Sequence, residues 1–509
     1  MTQISFIIRW NLLIYIFAGS VLATGTKELP DYKAFRDAVS LENIRSHQLE
    51  LQNIANQNSN NRMALTNGYK ASVSYVEKVL KESGYDVVRQ DFTVSTSEDR
   101  NPPNLVKKAP IEQVFVAGQD FSCLSSAGLV TLMAQVEAVD LVVPSLHKNH
   151  SNSGCEMADY TQFTPGNIAL IQRGTCSFQT KVENAIKAGA VGVILFNEGN
   201  PEREGVIESR ISGAPDNYPI IGASFAVGEA LRNNILSGPT GNNVLLSIDV
   251  EKRAKPVQNL IAETKVGDAS KTLVVGAHLD SVAEGPGMND NGSGSASILE
   301  IAKQLALLNV PLQNKVRFIW FGAEEFGLLG SEYYVSALSA AEQNNIMAML
   351  NFDMLGSANY ARFVYNGSNA SASSGYIEQV FLDYFSSVNL ITHPTAFDGR
   401  SDYGPFIEVG IPAGGLFSGA EGRKSRELAR IYGGTAGKSF DPCYHRACDN
   451  FDTTSDQNGS LALQSLDELS DAAAHATLFL ASNTIPTNLI GKREKGNIQF
   501  EYKGHLMVR

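Results

Sequence analysis

At 509 residues the chain is too long for one small module and, at about 150 residues per domain, long enough for roughly three. Hydrophobic residues make up 43% and charged residues 18%, a balance that excludes disordered, collagen-like and disulfide-scaffold classes. The 53 acidic residues outnumber the 41 lysines and arginines, giving a net charge of −12 that disfavours nucleic acid and anionic lipid as partners and raises the question of whether carboxylates gather with some of the eight histidines around a cation.

The amino terminus carries Arg9, an apolar stretch over 10–18 and small residues ending at Ala23, the pattern of a secretory signal peptide cut after residue 23. That stretch is too short for a membrane anchor, and no later segment reaches about 18 uninterrupted apolar residues, so no stable membrane insertion is expected. Export to the periplasm or the cell exterior implies an oxidising compartment. There Cys443 and Cys448 are close enough to bridge, Cys155 and Cys176 make a second pair, and Cys123 is left over. Sequons at Asn149, Asn291, Asn366, Asn369 and Asn458 matter only in a glycosylating host.

Apolar spacing predicts a helix over 31–55, a second over 69–83 closed by Gly84, and a strand over 85–94. From 128 to 250 the character changes to short Val/Leu/Ile runs at 129–133, 168–171, 191–196 and 245–248, with one helix over 178–188, which predicts a smaller, strand-rich domain. After Lys255-Pro256 apolar strands at 272–277, 315–321, 346–352 and 411–417 alternate with helices at 294–308, 327–341, 374–387 and 462–481. Continuous apolar strands between helices predict an α/β fold with a mixed, mostly parallel sheet covered on both faces.

Ligands collect beyond the carboxyl ends of such strands, and three of these ends carry chemistry. The first runs into His278-Leu279-Asp280, the second into Glu324-Glu325 and the third into Asp353, while a glycine-rich loop between the first two presents Asp290. Further on, His445 lies between Cys443 and Cys448. Imidazole and carboxylate without thiolate suit zinc or a similar divalent ion, and several acids with two histidines suggest two ions sharing a bridging carboxylate. Of two adjacent glutamates, one can ligate while the other serves as general base, and Asp280 is spaced to hold the far nitrogen of His278. Each fragment alone has an ordinary structural reading as a turn, a cap or a solvated face; their succession after buried strands does not. His-Glu-x-x-His and Gly-x-Ser-x-Gly are absent, and the loop over 433–439 fails as a phosphate loop because Tyr432 stands where its first glycine is required.

In this order the residues resemble peptidase family M28, and specifically secreted zinc aminopeptidases with an inserted protease-associated (PA) domain, to which the stretch 166–194 is similar. After the signal peptide at 1–23, the resemblance implies a discontinuous catalytic domain at 24–126 and 254–486 around a β-rich α+β PA insertion at 127–253; the basic tail at 487–509 reads from its composition as a loose terminus or a removable extension. It implies two zinc ions, one held by His278 and Asp353, the other by Glu325 and His445, with Asp290 bridging. Glu324 matches the general base, Asp280 the acid behind His278, Tyr444 a tyrosine stabilising the tetrahedral intermediate, and Arg400 a substrate-side arginine that could equally be a structural ion pair. Tyr403 departs from the histidine frequent in the family. The expected substrates are peptide or protein amino termini. A carboxypeptidase or dipeptidase on the same scaffold is the alternative, a non-catalytic peptide-binding protein the remote one, and contact of the PA domain with substrate or a partner stays open.

Overall fold

The structure, a computed structural model, describes residues 30–201, 203–208, 211, 215–453, 459–483 and 485–486; the expected signal peptide, the tail at 487–509 and the sequon at Asn458 lie outside them. The helical run expected over 31–55 is two helices, α1 (Tyr32–Ala38) and α2 (Leu41–Asn56), because Ser40 caps the second with its hydroxyl on the Asn43 amide. Then come α3 (Asn67–Glu82), β1 (Asp86–Ala109), β2 (Gln113–Phe115), β3 (Phe121–Cys123), β4 (Gly128–Ala138), β5 (Ile168–Gln172), α4 (Phe178–Lys187), β6 (Gly192–Phe196), β7 (Ile220–Ala223), α5 (Phe225–Arg232) and β8 (Gly238–Glu263).

The remainder alternates strands and helices: β9 (Asp268–His278), α6 (Gly292–Leu307), β10 (Asn314–Phe321), α7 (Leu329–Ala337), α8 (Ala340–Asn345), β11 (Ile346–Phe352), β12 (Phe363–Tyr365), α9 (Ala372–Ser387), β13 (His393–Thr395), α10 (Tyr403–Glu408), β14 (Ala413–Phe417), α11 (Arg426–Tyr432) and α12 (Gly459–Ser482). Strands β10, β9, β11 and β14 are parallel neighbours in that order, and β8 joins β10 antiparallel. Alternation along β10 explains why its run is apolar throughout. Val316, Phe318 and Trp320 enter the core beneath α2, α3, α6, α9 and α12, whereas Ile319 and Phe321 enter the core with α7 and α10.

The inserted region has its own two-sided core, with Ile194 and Phe196 of β6 on one face and Val193 and Leu195 on the other. It is not joined by a break at Lys255-Pro256. Strand β8 runs straight through those residues, with Val94 opposite Lys255 and Thr93 opposite Pro256 on β1. Between Val250, the last residue paired with β4, and Leu260, the first paired with β10, only β1 flanks β8, so a two-stranded neck links the halves.

Candidate metal centre

The expected ligands come from three strand ends and two loops. His278 ends β9, Glu324 and Glu325 follow β10 in a turn where Ala323 has φ +56°, and Asp353 follows β11 just before Met354, also at φ +56°. Asp290 stands in the loop entering α6. Its neighbour Asn291 locks that loop to β11, donating to the Phe352 carbonyl at 3.0 Å and accepting the Gly294 amide at 2.9 Å. A Cβ on Gly294 would lie 2.1 Å from the Phe352 carbonyl oxygen, so only glycine lets the helix approach this closely. The sequon at Asn291 is therefore enclosed in the fold. His445, at φ +55°, is presented by the loop that the Cys443–Cys448 disulfide closes, and the second expected disulfide, Cys155–Cys176, is also formed. Cys123 is buried in β3.

Asp290 stands between the two histidines. Its Oδ1 is 3.2 Å from His278 Nε2 and its Oδ2 is 3.1 Å from His445 Nε2. Asp353 Oδ1 lies 3.3 Å from His278 Nε2, and Glu325 Oε2 lies 3.2 Å from His445 Nε2. Two triads result, His278-Asp290-Asp353 and Asp290-Glu325-His445, sharing one carboxylate. Bonds of 2.0–2.1 Å at a tetrahedral zinc separate neighbouring ligand atoms by about 3.4 Å, so both triads fit such an ion in donor type and in spacing.

Electrostatics point the same way. Burial opposes a charged His278, yet Asp353, Glu324 and Asp290 hold its pKa well above the ordinary range; His445 is likewise raised to about 11, against burial, by Glu325 and Asp290. Glu324, at 4.0 Å from His278 Nε2, is pushed well up by burial and by the nearby acids Glu325, Asp402 and Asp353.

Asp280 takes a somewhat different position from the expected one. His278 Nδ1 is nearer the Asp280 carbonyl oxygen, at 3.2 Å, than its carboxylate, at 3.8 Å. The carboxylate accepts the amides of Glu324 and Glu325, at 3.2 and 3.3 Å, and so fixes the turn that carries both glutamates. Tyr444 stacks on His445 with ring centroids 3.8 Å apart, and Arg400 forms an ion pair with Glu421 at 2.7 Å; both line the cleft. Met354, Tyr365 and Phe417 are apolar walls of the cleft, and among the described residues none from 127–253 lines it.

Three supporting residues escaped the sequence reading. Asp449 accepts the amides of Asn289 and Asp290, Asp441 accepts the Asn289 side-chain amide at 2.6 Å, and the guanidinium of Arg62 donates to the carbonyls of Leu279, Pro286 and Gly287. Asp441 and Asp449 bracket the disulfide loop in sequence, which is a usable signal. Arg62 stands alone in a polar stretch and has none.

Residues 259–466 match the model of peptidase family M28 and residues 137–231 that of the PA domain. The chain is 42% identical to an aminopeptidase of Pseudomonas aeruginosa strain PAO1, over 87% of its own length and 81% of the relative's. It is 40% identical to a probable leucine aminopeptidase 2 of Aspergillus fumigatus, over 77% of this chain and 74% of that one. In fold it is similar to an aminopeptidase from Aneurinibacillus sp. strain AM-1, with TM-score 0.66 and 23% identity over 92% of this chain and 99% of that one. A zinc aminopeptidase from Bacillus subtilis gives the same score and identity, over 92% and 98%. The chain belongs to peptidase family M28 and carries a PA domain. It is thus a metalloexopeptidase.

Proposed function

We propose that the protein is an exported aminopeptidase that releases amino-terminal residues from peptides with two zinc ions. The observation that carries the reading is Asp290, whose two carboxylate oxygens reach His278 and His445 separately. His278 and Asp353 would hold one ion, Glu325 and His445 the other, and Asp290 both. Bound there, zinc supplies a lowered pKa for water and charge stabilisation at the scissile carbonyl.

The remaining roles fall to the chain. Glu324 takes the proton of the attacking water and returns it to the departing amine. The Tyr444 phenol donates to the developing oxyanion, and Arg400 contacts substrate from the cleft's outer side. The acidic cleft suits a free ammonium. Two disulfides support an oxidising compartment, as the amino-terminal segment does. We place the catalytic domain at 24–126 and 254–486 around a PA insertion at 127–253, with the tail at 487–509 dispensable for catalysis.

Hydrolysis of leucyl anilide beside its N-acetyl form, with and without a zinc chelator, tests the reading. Cleavage of the free-amine substrate alone, abolished by chelator and restored by zinc, is expected. Equal cleavage of the acetylated form would refute it.

A further inference from the structure

Tyr403 belongs to no ligand set, yet the substrate side of the cleft is hung on its hydroxyl. It opens α10 and is 1% exposed. The phenol oxygen accepts the backbone amides of Asp398 and Gly399, both at 3.1 Å, and donates to Asp398 Oδ1 at 3.0 Å. Asp398 Oδ1 in turn accepts the amide of Arg400 at 3.2 Å. Gly399, at φ +78°, allows the chain to reverse between them. Asp398 and Arg400, the residues flanking that glycine, both line the cleft.

The anchor itself is rigid. The Tyr403 ring packs against Tyr365 and Phe397, with centroids 4.8 Å away in each case, and Tyr365 is a cleft wall. Burial holds the phenol well above its usual pKa, so it stays a neutral donor. The metal side of the same segment has a separate attachment: Ser401 Oγ donates to Asp353 Oδ2 at 2.7 Å and accepts from Asn351 Nδ2 at 2.8 Å. Segment 398–403 is thus attached both to a candidate metal ligand, through Ser401, and to the aromatic cluster beside the cleft, through Tyr403.

We infer that Tyr403 is a positioning residue for substrate binding: its hydroxyl fixes the 398–400 turn and presents Arg400 to the bound peptide. The inference rests on the aminopeptidase reading. A turn held in advance spares the substrate the cost of ordering it, so its loss appears in KM rather than in the chemical step.

Tyr403→Phe keeps the ring and its packing and deletes one oxygen. With leucyl anilide, KM is expected to rise about three- to tenfold, because part of the cost of the three lost hydrogen bonds falls on substrate binding, while kcat stays within about twofold and zinc content is unchanged. In an Arg400→Ala background the same substitution should add nothing, because Tyr403 acts through that turn. An unchanged KM, additive effects in the double variant, or a fall in kcat with loss of zinc would each overturn the inference. Should Tyr403→Phe not fold, Tyr403→His goes through the same cycle with the same criteria. An inactive wild type would overturn the aminopeptidase reading and this inference together, whereas an active wild type with a silent Tyr403→Phe overturns the inference alone.

Discussion

Asp449 accepts the backbone amide of Asp290 at 2.9 Å, so the acid immediately after the Cys443–Cys448 loop holds the residue that stands between the two histidines. Its other oxygen accepts the Asn289 amide at 2.7 Å. The loop presenting His445 and the loop presenting Asp290 are thereby joined. Asp449→Ala is expected to weaken zinc binding about 10- to 100-fold, the usual cost of losing a partner behind a ligand. Titration of the metal-free protein against a competing chromophoric chelator measures this, and an unchanged affinity would show that Asp290 needs no such support.

Arg62 is fully buried, and its guanidinium donates to three carbonyls of the loop between His278 and Asp290. Burial lowers its pKa to about 10, with Asp280, Asp449, Asp290 and Glu325 opposing the shift, so it stays charged at neutral pH. Arg62→Met removes the cation from among those carboxylates and takes a donor from each of the three carbonyls, of which Gly287 keeps the Gly292 amide at 2.9 Å. A loss of about 3–5 kcal/mol is expected, the scale for breaking a buried charge network, read as a fall in the denaturant midpoint. A shift within experimental error would contradict the assigned role.

His475, on α12, predicts an acid-sensitive element. It stacks on Tyr384 with centroids 4.8 Å apart and lies with Nδ1 3.3 Å from Arg36 Nη1. Burial, then the Arg36 charge, lower its pKa from 6.5 to about 4. The unfolded chain therefore takes up a proton at a pH where the folded ring refuses it. Stability from this group is fully present above pH 6.5, declines as the pH falls, and is gone below about 4. Thermal midpoints measured across that window should fall less steeply for His475→Phe than for the wild type; equal slopes would contradict the prediction.

Part of the candidate site is legible because His278 ends, and Asp353 follows, an unbroken apolar run that reads as a buried strand, β9 and β11 respectively; Asp290 and His445 stand on loops instead. What stayed hidden depends on distant partners. Strand β1 runs past its expected end at Val94, through charged residues and Pro102-Pro103, because β8 supplies a ladder along its length and a register shift between Asn101 and Asn104 absorbs both prolines. The helix expected over 327–341 is broken because Ser339 and Glu342 form a capping box that starts α8. Short elements such as β13 and α10 carry too few residues to show a period. Arg62 has no local signal, because its role is defined by carbonyls more than 200 residues away.

Glu324→Gln tests the central claim most directly. The amide keeps the size of the side chain and removes the basic oxygen. Purified variant should retain two zinc ions per chain by elemental analysis while kcat for leucyl anilide falls about 10²- to 10⁴-fold, the range for loss of a general base. Full activity in the variant, or zinc lost in proportion to activity, would contradict the account.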